Sequence, residues 1–121
     1  MTQMDRIELR GMSFRGRHGV GDDERAQPQE FKVDIRVEAD LTAAAGSDRL
    51  DDTIDYRRLR AAAKDVIEGP SRKLLEALAG EIADRILGLP RVESVQVRIA
   101  KRPASMQPID AAAVRIYRTR A

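Results

Sequence analysis

Four short pieces of this chain place a group able to give or take a proton at the edge of an apolar segment. They are Glu24 in GRHGVGDDER (16–25), Tyr56 in DTIDY (52–56), Glu76 in KLLEALA (73–79) and Lys101 in VRIAKRP (97–103). Two carboxyls, a phenol and an amine are the parts of general acid–base chemistry, in which a positioned side chain carries a proton to or from a reacting group. Each also has an ordinary reading. Gly16, Gly19 and Gly21 make the first piece a turning loop in which Asp22 and Asp23 read as solvated acids. His18 in that loop reads as structural, although it lies close enough to Glu24 to share a proton network. Tyr56 reads either as a surface aromatic or as a ring at a helix start that covers a flat ligand. Glu76 stands among Leu74, Leu75 and Leu78, where a carboxylate is costly unless paired. It also lies in the first turns of a helix, whose dipole favours an acid by about 0.3–1 kcal/mol. Lys101 ends a strand, the usual place of a solvated edge charge.

The elements that must position these groups follow from periodicity. Ile7 and Leu9, then Met12 and Phe14 past Gly11, predict a strand over 5–14 with a bulge or bend at the glycine. Phe31, Val33, Ile35 and Val37 alternate with Lys32, Asp34, Arg36 and Glu38, the period of a half-buried antiparallel strand. Residues 41–50 form a connection with room for one helical turn. From Asp55 the period becomes helical through Leu59, Ala62, Ala63, Val66 and Ile67, capped by Thr53 or Asp55 and stopped by Gly69 and Pro70. Ser71 caps a second helix with a buried stripe of Leu74, Leu75, Leu78, Ile82 and Ile86, ending at Gly88 and Pro90. Val95, Val97 and Ile99 mark a third strand, and Val114 and Ile116 a fourth. The order ββααββ predicts an α+β fold, a four-stranded antiparallel sheet with two helices on one face. The other face, with Lys32, Asp34, Arg36, Glu38, Arg98, Arg115 and Glu8, is either a solvated surface or the lining of a closed oligomeric barrel.

Composition narrows the function. The 121 residues fit one domain, 1–121, large enough to bury roughly two thirds of the surface its unfolded chain exposes. With no Cys and one His, the chain lacks thiolate nucleophiles and an obvious zinc set. The N-terminal MTQMDRIELR is charged where a signal peptide is apolar, and no window approaches the roughly 20 apolar residues of a membrane span, so a cytoplasmic protein is expected. A net charge of +2 with mixed signs, two Tyr, two Phe and no Trp argues against a nucleic-acid partner.

In their order, the four pieces resemble dihydroneopterin aldolase, and the resemblance runs nearly end to end. It implies the tunnelling fold, with four subunits in a ring, two rings stacked as an octamer, and active sites between subunits. It implies a small-molecule pterin substrate, 7,8-dihydroneopterin, cleaved to 6-hydroxymethyl-7,8-dihydropterin and glycolaldehyde in folate biosynthesis, with epimerisation at C2′ as a companion reaction. Lys101 matches the family's general acid/base. Glu24, six residues after His18, matches the Glu that supports it and the substrate hydroxyls. Tyr56 matches the residue that delivers a proton to an intermediate bound mostly by the neighbouring subunit. Glu76 matches the Glu that anchors the pterin, assisted by backbone at Leu75. His18, Thr53 and Ile54 are further candidates for the site. No cofactor, metal or lysine Schiff base is implied, because the pterin imine itself accepts the electron pair. The chain departs from the family pattern at Arg102, which stands between Lys101 and Pro103, in the following loop, which is about a residue short, and at Lys73. Two alternatives remain in view: a dihydroneopterin triphosphate 2′-epimerase, for which Arg72, Lys73 or Arg102 would meet phosphate, and a noncatalytic pterin-binding module.

Overall fold

The computed structural model describes residues 4–120. Four strands, β1 (Asp5–Gly16), β2 (Gln29–Ala39), β3 (Ser94–Lys101) and β4 (Ala112–Thr119), form one antiparallel sheet in the order β1-β2-β3-β4. Between β2 and β3 run two main helices, α3 (Tyr56–Ile67) and α4 (Leu75–Leu87), both packed on the same face. Two short helices precede them, α1 (Asp22–Ala26) and α2 (Thr42–Ser47), with 3₁₀ turns at Leu50–Asp52 and Ala104–Met106. The α+β architecture is therefore the one the periodicity predicts. Residues 22–26, expected as loop, instead close one helical turn after Gly21, and the predicted turn in 41–50 is α2.

The period-two pattern of β2 sends Phe31, Val33, Ile35 and Val37 into the core, where they are fully buried against Leu59, Ala63, Val66 and Ile67 of α3 and Leu78, Ile82 and Ile86 of α4. Each such side chain contributes about 1.5–3 kcal/mol relative to leaving it in water. The bend in β1 lies where expected. The β1–β2 register shifts between Leu9 and Met12, and Gly11 takes φ 73°, a conformation that is costly for any residue with a Cβ. Its N–H is taken by Asp34 Oδ1 at 2.6 Å.

The helix ends decide one open expectation and correct another. Asp55, rather than Thr53, caps α3, accepting the Arg57 N–H at 3.0 Å. Ser71 does not cap α4. The chain stays outside the helix until Leu74, whose carbonyl begins it, so Leu74 leaves the predicted buried stripe and is 49% exposed. The reason is a competing tether, since Arg72 is bonded through both its N–H and its carbonyl to the segment after β1.

Antiparallel register sets two ends of the sheet. Gly16, Gln29, Lys101 and Ala112 lie at one end, and Asp5, Ala39, Ser94 and Thr119 at the other. Helix α4 starts at the Lys101 end, and α3 finishes there, with its Ile67 carbonyl against His18.

Candidate active site

Lys101 is the last residue of β3 and shares side-chain parity with Val95, Val97 and Ile99, so it turns toward the helix side where the sheet runs out. Its Nζ donates to Glu24 Oε2 at 2.9 Å, joining residues 77 apart in sequence. Glu24 Oε1 accepts the Gly21 N–H at 3.3 Å, which closes α1 and aims the carboxylate. The Lys101 hydrogen bond, with help from the Gly21 N–H, holds the Glu24 carboxyl below the usual carboxylate range, while partial burial opposes it. Arg102, the departure from the family pattern, leaves this contact intact. Its side chain turns away toward the Ile109 carbonyl at 3.4 Å.

The loop that carries Glu24 is fixed by residues that sequence reasoning passed over. Gln29 Nε2 donates to the carbonyls of His18 and Glu24 at 3.0 and 3.2 Å, and Arg25 donates to those of Gly19 and Val20 at 2.9 and 2.7 Å. Nothing local in the sequence marks these contacts, because their acceptors are backbone carbonyls placed by the fold. Gly19 is required by close approach, since a Cβ there would lie 2.5 Å from Glu24 Cβ and 2.8 Å from its Oε2. His18 is 2% exposed and edge-on to Phe31. Its Nδ1 accepts the Arg72 N–H at 3.0 Å, so the ring proton sits on Nε2, which donates to the Ile67 carbonyl at 2.7 Å. With both nitrogens bonded to backbone, His18 ties the loop after β1 to the end of α3 and to Arg72.

Lys101 and Glu24 open onto a cavity of about 750 Å³ at this end of the sheet, wrapping onto its polar face. Asp23, expected as a solvated acid, lines it, as do Gln27, Gln29, Lys32, Asp34 and Arg98. Charged side chains of both signs meet there, five carboxylates against four cations. Glu76 stands at the second residue of α4, at the same end. It is exposed, the rim position of its two readings, because Leu74 and Glu76 both face outward while Leu75 packs on the core. The first N–H groups of α4, at Leu75 and Glu76, have no partner within the helix.

Tyr56, Thr53 and Ile54 are elsewhere. Tyr56 is the first residue of α3 and 59% exposed, about 17 Å by helix rise from Ile67 at the Lys101 end. Thr53 and Ile54 line a separate cleft of about 300 Å³ with Leu89, Pro90 and Arg91, and Arg91 Nη2 donates to the Asp51 carbonyl at 2.9 Å. The fold therefore brings Glu24, Lys101, Leu75 and Glu76 to one end of the molecule and Tyr56, Thr53 and Ile54 to the other. Among the described residues, no group of three or more His, Cys, Asp or Glu is arranged to hold a metal ion, and no helix is long and apolar enough to cross a membrane.

Comparisons with known proteins agree on the family and the fold. The family model FolB, dihydroneopterin aldolase, matches residues 7–117. The chain is 41% identical over 99 residues to dihydroneopterin aldolase of Bacillus subtilis, covering 81% of this chain and 82% of that one. It is 40% identical over 118 residues to dihydroneopterin aldolase of Streptomyces coelicolor, covering 97% and 99%. The structure superimposes with a TM-score of 0.88 on E. coli dihydroneopterin aldolase in complex with neopterin, at 27% identity over 95% of this chain and 99% of that one.

Proposed function

Because the chain belongs to the dihydroneopterin aldolase family, we propose that it performs the family's reaction at the Lys101 end of the sheet, as a step of folate biosynthesis. The substrate is 7,8-dihydroneopterin, and the products are 6-hydroxymethyl-7,8-dihydropterin and glycolaldehyde. The observation that carries this reading is the 2.9 Å contact of Lys101 with Glu24 at the mouth of a cavity large enough for a pterin.

The residues divide the chemistry. Glu76, with the free N–H of Leu75 beside it, accepts the paired N–H donors of the pterin ring, as a carboxylate does from a guanidinium. Removal of the 2′-hydroxyl proton, by Lys101 through a water, lets the C1′–C2′ bond break. Glycolaldehyde leaves, and the electron pair moves into the conjugated N5=C6 imine as an enamine. Proton delivery to C1′ by Tyr56 then yields the hydroxymethyl product. The pterin is its own electron acceptor, so the reaction uses neither a Schiff base nor a metal. Glu24 holds the Lys101 amine in place and faces the substrate hydroxyls. Tyr56 reaches this substrate only from a second copy, so the working form is a homo-oligomer with sites between subunits, in the ring and stacked octamer that the family implies. The folded unit is taken as one domain, and the cytoplasm as its compartment.

The epimerase reading draws less support. Of the three cations proposed to meet a triphosphate, Arg72 is paired with Glu81 at 3.2 Å, and of Lys73 and Arg102 only Arg102 lines the cavity, where carboxylates outnumber cations. The test is product analysis after incubation with 7,8-dihydroneopterin and a chelator. The unmodified protein should form 6-hydroxymethyl-7,8-dihydropterin. Lys101→Ala should lose about 10²–10⁴-fold in kcat, the range for a general acid/base, whereas Glu76→Ala should raise KM. Binding without turnover by the unmodified protein would instead support the noncatalytic pterin-binding module.

A further inference from the structure

On the sheet face away from the helices, four arginines from four strands bound a cleft of about 220 Å³: Arg10 of β1, Arg36 of β2, Arg98 of β3 and Arg115 of β4. Two carboxylates share it. Glu8 pairs with Arg36 at 3.2 Å, and Asp34 meets Arg98 at only 3.6 Å while its other oxygen holds the Gly11 N–H. Arg10 and Arg115 have no ion pair or side-chain hydrogen bond among the described residues, and both are exposed. Arg98 and Arg115 are direct cross-strand partners. Like charges opposite one another weaken a sheet, and no packing within the chain explains arginine at both positions on a rung that faces away from the core.

From this arrangement we propose that the polar face of the sheet is a binding site for a small multivalent oxyanion of the condensed-phosphate class. Guanidinium groups match phosphate oxygens in bidentate geometry, and a chain of linked phosphates spans neighbouring strands about 4.8 Å apart as a single phosphate does not. The cleft shares Asp34 and Arg98 with the catalytic cavity but contains neither Lys101 nor Glu24. An anion seated there draws Arg98 away from Asp34 at the floor of that cavity. The site does not rest on the aldolase reaction.

The experiment titrates the native oligomer with inorganic pyrophosphate, with orthophosphate, and with sodium chloride at matched ionic strength, following melting temperature and, by calorimetry, affinity. At 10 mM pyrophosphate the melting temperature should rise by about 3–6 °C, with a smaller rise for orthophosphate and little for chloride. Arg115→Gln should weaken pyrophosphate at least about tenfold, as expected for loss of a charge-assisted pair. Arg118→Gln, which removes the same charge from β4 outside the cleft, should leave binding unchanged, and all three proteins should elute at the same mass. Equal shifts with chloride, or equal losses in the Arg115 and Arg118 variants, would overturn the site and leave only nonspecific screening.

Discussion

At the scale of single residues, the Glu24–Lys101 pair sets a pH dependence with a definite sign. The lowered Glu24 carboxyl means that the folded state keeps it ionised at pH values where the unfolded chain has begun to protonate it. The pair's stabilisation is therefore complete above the ordinary carboxylate range and is lost as pH falls through the lowered value. Glu24 is about one-third exposed, so screening by solvent limits this to about 0.5 kcal/mol. Denaturant titrations of the unmodified protein and Glu24→Gln should show a constant difference from pH 8 to about 5 that shrinks only below that range. Gly19→Ala should disturb the same carboxylate sterically and lower kcat, because the added methyl group occupies the place of the Glu24 side chain. His18 belongs to stability. His18→Ala leaves the Ile67 carbonyl and the Arg72 N–H without partners and opens a gap beside Phe31, and should cost about 2–4 kcal/mol in chemical denaturation.

At the scale of elements, the two long helices begin in different ways, and this can be measured. Asp55→Ala removes a true cap and should cost about 1 kcal/mol, whereas Ser71→Ala, outside α4 and before its cap position Leu74, should stay within about 0.5 kcal/mol of neutral. Strand and helix identity were legible because β2 alternates strictly and α3 keeps its apolar residues on one side. The start of α4 was not legible. Ser71 has the chemistry of a cap, but the backbone of Arg72 is held by His18 and Gly19, 54 and 53 residues away, and those bonds keep the helix from starting there. Of the two readings open for Glu76, the rim position near the helix N-terminus is the one observed, because Glu76 lies about 200° around the helix from the buried Leu78.

At the scale of the whole molecule, the positions of Tyr56 and Lys101 at opposite ends predict complementation. Lys101→Ala and Tyr56→Ala oligomers should each be nearly inactive. Refolded together in equal amounts, they should recover up to about one quarter of full activity, the random fraction of sites with both residues intact on facing subunits. No recovery in oligomers shown by mass to be mixed would place Tyr56 outside the site.

The sequence by itself determined the strand and helix periods, the single polar face of the sheet, and the four motifs that identify the family, because these depend on residue type and short spacing. Only the tertiary structure decided that Lys101 meets Glu24, that His18 serves as a backbone tether, that Asp23 joins the cavity, and that Tyr56 stands at the far end. Each of these follows from which residues the antiparallel register and the helix directions bring together, and those contacts span tens of residues that no local pattern records.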